Sequence, residues 1–217
     1  MPQKTLQTGS KGRPVDTEKQ ALQKQKLLDA ALALLSEKNF SEITIRELGK
    51  RAGVNSAMVS YYFTNKEGLF IALLDMLSAQ KFSQLGDLHQ HEDPIKAVIT
   101  FMLDMMNQHP GLMKLVHSEA MTADSKLGAA IIERFPKRMA AMLPGVIAAQ
   151  QAQGKLRQDL NPKYAAFSLI SLIIMPFVTT PVREQAWQIS AQELNTPQWT
   201  EHIYQLFIAG VTKGPSQ

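Results

Sequence analysis

The sequence predicts an all-α protein: a three-helix unit containing a helix-turn-helix, followed by a larger helical region, about nine helices in all. Three observations carry that expectation. Residues 40–73, FSEITIRELGKRAGVNSAMVSYYFTNKEGLFIAL, read as two short helices about a Gly53-Val54 turn and then the start of a longer helix. Beyond them, apolar residues recur at three- and four-residue spacing with no sustained period-two alternation. Asp93-Pro94, Asn161-Pro162 and Thr196-Pro197 each place a capping side chain ahead of a proline suited to a first helical turn.

The first helix should begin after Asp16 or Thr17 and end near Lys38, with Leu27, Leu28, Ala31, Leu34 and Leu35 on its core face. Thr44 and Glu47 form a capping box for the second helix, whose inner side holds Ile45, Leu48 and Ala52. Gly53 supplies the left-handed conformation that a sharp exit requires. Asn55 or Ser56 caps the third helix, with Val59 and Phe63 facing in. Its outer face carries Ser56, Ala57, Ser60, Tyr61 and Tyr62, short polar groups and aromatics suited to contact. Thr64 and Glu67 read as a second capping box, opening a connecting helix from Lys66 toward Phe82.

A polar break over residues 86–92 precedes helices expected at about 94–108, 110–121, 125–152, 162–179 and 197–212. Leu127, Ile131, Phe135, Met139, Met142 and Val146 form one stripe on the 125–152 helix, which Pro136 and Pro144 can kink or split. Residues 164–182 carry no charge, but prolines and hydroxyl residues interrupt them, and a bilayer span needs roughly 20 mainly apolar residues. They read as a helix buried in a core or a dimer interface, and no membrane partner is expected.

Charge is unevenly placed. Residues 1–66 hold 11 Lys and Arg against 6 Asp and Glu, and the remainder 12 against 13. The excess cation thus lies on the helix-turn-helix half, as neutralising phosphates requires. The absence of cysteine excludes disulfides, zinc-thiolate sites and thiol catalysis. The polar first 20 residues lack the apolar core of a signal peptide, so a cytoplasmic, nucleoid-associated protein is expected. Residues 1–16 read as a flexible basic arm, 17–64 as the DNA-binding domain and 65–217 as an effector-binding and dimerisation domain. Within the arm, Lys11 and Arg13 flank Gly12 and suit a narrow A·T-rich minor groove.

The stretch from Leu27 to about Leu77 resembles the tetracycline-repressor (TetR) family of bacterial transcription regulators. The resemblance rests on an apolar first helix, then T-I-R-E-L-G-K-R-A-G-V, S-x-x-x-Y-Y-F and N-K-E-G-L-F. It implies DNA contacts at Thr44, Ile45, Arg46, Ser56, Ala57, Met58, Ser60, Tyr61, Tyr62 and Lys66. Met58-Val59-Ser60 stands where the family often has Thr-Leu-Tyr, so the base-reading surface is individual to this chain. Arg46 can fork onto guanine or clamp a phosphate, Ala57 and Met58 can meet thymine methyls, and Lys66 near a helix start suits a phosphate.

The family layout implies a homodimer through the last two long helices, with Leu169, Ile173, Phe177, Trp199, Ile203, Leu206, Phe207 and Val211 at the interface. A two-fold dimer sets its recognition helices about 34–36 Å apart and predicts a palindromic operator in double-stranded DNA. For a small-molecule effector, apolar or aromatic, the sequence offers Met102, Met105, Met106, Met113, His117, Met121, Phe135, Met139, Phe167 and Met175; flexible thioethers line adaptable cavities. The expected role is a repressor released by that effector. The alternative is a ligand-independent DNA binder on the same fold, in an architectural or cell-division role. No cofactor is expected, and no enzyme: phosphate loop, nucleophile elbow and H-E-x-x-H motif are all missing. His89, His91, Glu92 and Asp93 read as a solvated loop rather than a metal site.

Overall fold

The computed structural model describes residues 17–212 except Asp87, Met121 and Ala123, with the backbone alone of His89. Lys11, Arg13 and Met121 therefore lie outside the described residues. Those described form α1 (Thr17–Glu37), α2 (Ile45–Ala52), α3 (Ala57–Phe63), α4 (Lys66–Leu85), α5 (Pro94–Gln108), α6 (Pro110–Leu115) and α7 (Lys126–Arg134). The chain continues with α8 (Pro136–Ala152), α9 (Pro162–Val178), α10 (Thr180–Ala186), α11 (Ala191–Leu194) and α12 (Pro197–Val211). Twelve helices replace the nine expected, for two reasons. The 125–152 span breaks at Phe135-Pro136, and α10 and α11 are short helices within a stretch read as connection. Pro144, by contrast, is accommodated inside α8.

The proline-led starts form as expected. Asp93, Asn161 and Thr196 accept backbone N–H groups from Lys96, Lys163 and Trp199 respectively. After α6, Val116–Ala120 continues as a π-turn, so the helix expected over 110–121 changes its pitch halfway.

Two apolar clusters organise the packing. The first joins α1, α2, α3 and α4 to α6 and α7 through Leu27, Leu35, Leu48, Val59, Phe70 and Leu112. The expected boundary at residue 64 falls in the short step between α3 and α4, and this cluster runs across it. The second holds α5, α8, α9 and α12 together around Ile99, Leu143, Leu169, Ile173 and Phe207. α6 lies hard against the C-terminal end of α1. A Cβ on Gly111 would stand 2.4 Å from the Leu35 carbonyl carbon, so only glycine permits this approach. No single described helix is long and apolar enough to cross a membrane; α9 and α10 reach the length together but bend by 72°.

Candidate nucleic-acid interface and adjoining cavity

α2 is fixed at both ends by its own sequence. The Glu47 N–H donates to Thr44 Oγ1 (3.2 Å), and the Thr44 N–H donates back to Glu47 Oε2 (2.9 Å). Lys38 at the end of α1 reaches the other Glu47 oxygen at 2.6 Å. The Lys38 ammonium, then the Thr44 N–H and hydroxyl, hold the Glu47 carboxyl down from 4.5 to about 2. A depressed folded-state pKa contributes stability that is complete above about 4.5 and is lost as pH falls toward 2. Glu47→Gln should therefore lower Tm at neutral pH and flatten the acid limb of a Tm-versus-pH series. Parallel curves for the two proteins would contradict that role.

At its other end Gly53 adopts φ 65°, ψ 32°, and its N–H closes the helix on Gly49 and Lys50 carbonyls. Asn55 Oδ1, rather than Ser56, caps α3 by accepting the Ala57 N–H at 2.9 Å. Val59 is fully buried and Phe63 half-buried, so the face expected inward is inward.

The outward face of the unit presents Thr44, Arg46, Ala57, Ser60 and Tyr61, all exposed, with Ser56 half-exposed beside them. Tyr61 is 67% exposed. Among the described residues Arg46 has no hydrogen-bond or ion-pair partner, whereas Arg51 is taken by both Glu37 oxygens. Lys50, one turn from Arg46, is likewise exposed and without an ion-pair partner among the described residues. Sequence reasoning passed over it, although its four-residue spacing from Arg46 was the available signal.

Four of the expected contacts turn partly inward. Ile45 and Met58 are half-buried against the first cluster. The Tyr62 hydroxyl donates to Gln23 Oε1 on α1 at 2.7 Å, and Lys24 lies 5.5 Å from the ring centroid. Lys66 is the clearest correction. Its ammonium donates to the carbonyls of Phe40 and Ile43, each at 2.8 Å, and sits 4.2 Å from the Phe40 ring centroid. Burial lowers its pKa against a smaller opposing pull from Glu119. This lysine pins the start of α4 to the 40–43 turn instead of reaching outward. Lys66→Met should cost about 1–2 kcal/mol in chemical denaturation by stranding two carbonyls. An unchanged midpoint would remove that structural role.

The second expected capping box is also absent. Thr64 takes φ 70° at the end of α3, and Asn65 alone caps α4 by accepting the Gly68 N–H at 2.8 Å.

Behind this unit lies a cavity of about 640 Å³ bounded by α4, α5, α6, α7, α8 and α9. Met102, Met105, Met106, Met113, Phe135, Met139 and Phe167, seven of the residues expected to face an effector, line it. Two do not. His117 is exposed on the π-turn, and Met175 is 51% exposed on the outer side of α9. Phe82 on α4, Phe101 on α5, and Ile170 and Ile174 on α9 line it as well and were not among the residues expected there.

Most of the residues expected at the interface are covered within the chain itself. Leu169, Ile173, Ile203, Phe207 and Val211 are buried within the chain's own second cluster, and Phe177 and Trp199 are half-buried. Leu206 alone of that set is exposed. The buried ones lie on the face of α9 and α12 that packs on α5 and α8. The exposed apolar side chains are instead Tyr164, Phe167, Met175, Val182, Trp187 and Leu206, spread over α9, α10 and α12. Beside them the Trp199 indole N–H is buried with no acceptor among the described residues.

Family models match both halves of the chain: "Bacterial regulatory proteins, tetR family" over residues 27–73, and "Tetracyclin repressor-like, C-terminal domain" over residues 92–211. Among curated proteins, the chain is 24% identical to the nucleoid occlusion factor SlmA of Marinomonas sp. (strain MWYL1), covering 80% of this chain and 89% of that one. It is 26% identical to the HTH-type transcriptional repressor NicS of Pseudomonas putida, covering 77% and 79%. The fold is shared with the transcriptional regulator FadR of Bacillus subtilis, solved in complex with stearoyl-CoA. That likeness has a TM-score of 0.71 at 18% identity, over 86% of this chain and 98% of that one. The free outward face of α2–α3, the helical body behind it and the two matching models agree: the chain belongs to the tetR family of bacterial regulatory proteins.

Proposed function

We propose that the chain is a homodimeric repressor that reads a palindromic operator with α3 and lets go when a small apolar effector occupies the 640 Å³ cavity. The observation that carries this reading is the exposed outward face of Arg46, Lys50, Ala57, Ser60 and Tyr61, whose two cations have no ion-pair partner among the described residues. It combines free cations for phosphates with small groups that let a helix enter the major groove. Thr44 and Ser56 flank it, while Ile45, Met58 and Tyr62 contribute edges of half-buried side chains. In this reading the reading head is 17–64, the body 65–217, and the arm adds Lys11 and Arg13 in the minor groove.

Pairing of two copies would run through the exposed apolar face of α9, α10 and α12, because contiguous apolar surface of this kind generally marks association. The cytoplasmic setting and lack of catalysis belong to the same reading. A ligand-independent DNA-binding role is less well supported, because a large apolar cavity without a ligand lowers stability.

The test is fluorescence anisotropy of labelled duplexes from the gene's own upstream region at fixed salt. The expected result is one dimer per two-fold-symmetric site, and scrambling one half-site should weaken binding by about tenfold or more. Equal affinity for all duplexes would reject sequence-specific repression.

A further inference from the structure

The charges around the cavity say more about its ligand than its apolar wall does. Its walls are Met, Phe, Leu, Ile, Pro and Ala, and the charged residues lining it are Lys137 and Lys163, with no carboxylate among them. The short connection between α8 and α9 folds α9 back along α8, so each end of their seam is the N-terminus of one helix. Lys137 stands at the start of α8 and Lys163 at the start of α9. Positive backbone dipole ends therefore coincide with both cations. Lys163 and Ile174 line the cavity from the same helix, so at about 1.5 Å per residue it extends roughly 16 Å along α9.

The two ends differ. Lys137 is neutralised by Glu133 one turn away, at 2.5 Å on α7. Lys163 has no ion-pair partner among the described residues, and the capping Asn161 brings no charge. Lys163 and Ala140, both exposed, mark where the cavity meets solvent.

We propose that the effector is an amphipathic anion, with an elongated apolar body along the α8–α9 seam and its anionic group on the Lys163 ammonium at the start of α9. This rests on the reading of the cavity as the effector site. An anion there meets an unpaired, solvent-exposed cation and a positive helix end at the rim, while its apolar body leaves water for the cavity. A cationic amphiphile of the same length would meet like charge at that end.

Calorimetric titration of the full-length protein with decanoate, decan-1-ol and decylammonium tests this. Decanoate should bind about tenfold more tightly than the alcohol, with decylammonium weakest. Lys163→Gln should remove the preference for decanoate while leaving decan-1-ol unchanged, and Lys163→Glu should favour decylammonium. Lys137→Gln, whose parent cation is already paired, should change the ratio far less. Ala140→Trp, at an exposed position on the rim, should block all three.

If decan-1-ol binds and Ala140→Trp blocks it, but decanoate is no tighter or keeps its advantage in Lys163→Gln, the anion assignment is overturned and the cavity reading stands. If none of the three binds, or Ala140→Trp changes nothing, both fail.

Discussion

Ser60→Glu should weaken operator binding by about a hundredfold or more at moderate salt while leaving the fold intact. Ser60 is exposed on the outward face of α3, and no side-chain hydrogen bond involves it among the described residues, so the substitution removes no packing. Surface changes of this kind lie within about 0.5 kcal/mol in stability. Against DNA the outcome is different. Two unit charges at 4 Å repel by about 1 kcal/mol in water and about 4 kcal/mol at a surface dielectric near 20. A dimer meets that penalty twice, so the loss should reach about a hundredfold or more. Ser60→Ala, which removes only a hydroxyl, should cost far less. Anisotropy titrations beside thermal melts decide it. A Ser60→Glu protein with native Tm that keeps operator affinity to within about threefold would place the DNA-reading face elsewhere on the chain.

The outward face could be read from sequence because every signal that builds it is local. Thr44 and Glu47 are three residues apart, Gly53 follows the last turn of α2, and Asn55 caps two residues ahead. Lys66 escaped that logic because its partners, the Phe40 and Ile43 carbonyls, are brought to it only by the folding of α4 against the 40–43 turn. Tyr62 turned partly inward for the same reason, since its partner Gln23 lies on α1. The uncharged run of α9 pointed to a helix buried in a core or an interface but could not say which. Leu169, Ile173 and Phe207 proved to be covered by their own chain. Ser190 and Glu193 form a capping box that was readable but opens a helix of only four residues. The cavity was half-legible: methionines announced adaptable walls, yet the contribution of Phe82 and Ile174 depended on how α4 and α9 pack.

Gly111→Ala should couple a loss of stability to a loss of effector response, because one contact serves both. The added Cβ would lie 2.4 Å from the Leu35 carbonyl carbon, 2.5 Å from its oxygen and 2.7 Å from the Ser36 nitrogen. These are main-chain atoms of α1 that no rotamer change can move aside. α6 must withdraw from α1 by about 1 Å, at a cost typical of overpacking, about 1–3 kcal/mol. For a chain of this size that corresponds to a Tm lower by about 2–12 °C. The same displacement bears on signalling. Leu112, Met113 and Val116, immediately beyond Gly111, form cavity wall, while α1 carries the three-helix head on its other side. A ligand acts on DNA affinity only through its differential affinity for two arrangements of such a contact. With α6 held off α1, effector binding should survive to within about threefold, while the ratio of operator affinities without and with effector shrinks toward one. Parallel measurements on any ligand that releases the unmodified protein give that ratio. A variant with native Tm and an undiminished ratio would mean that the signal reaches the head through α4 and bypasses the α6–α1 contact.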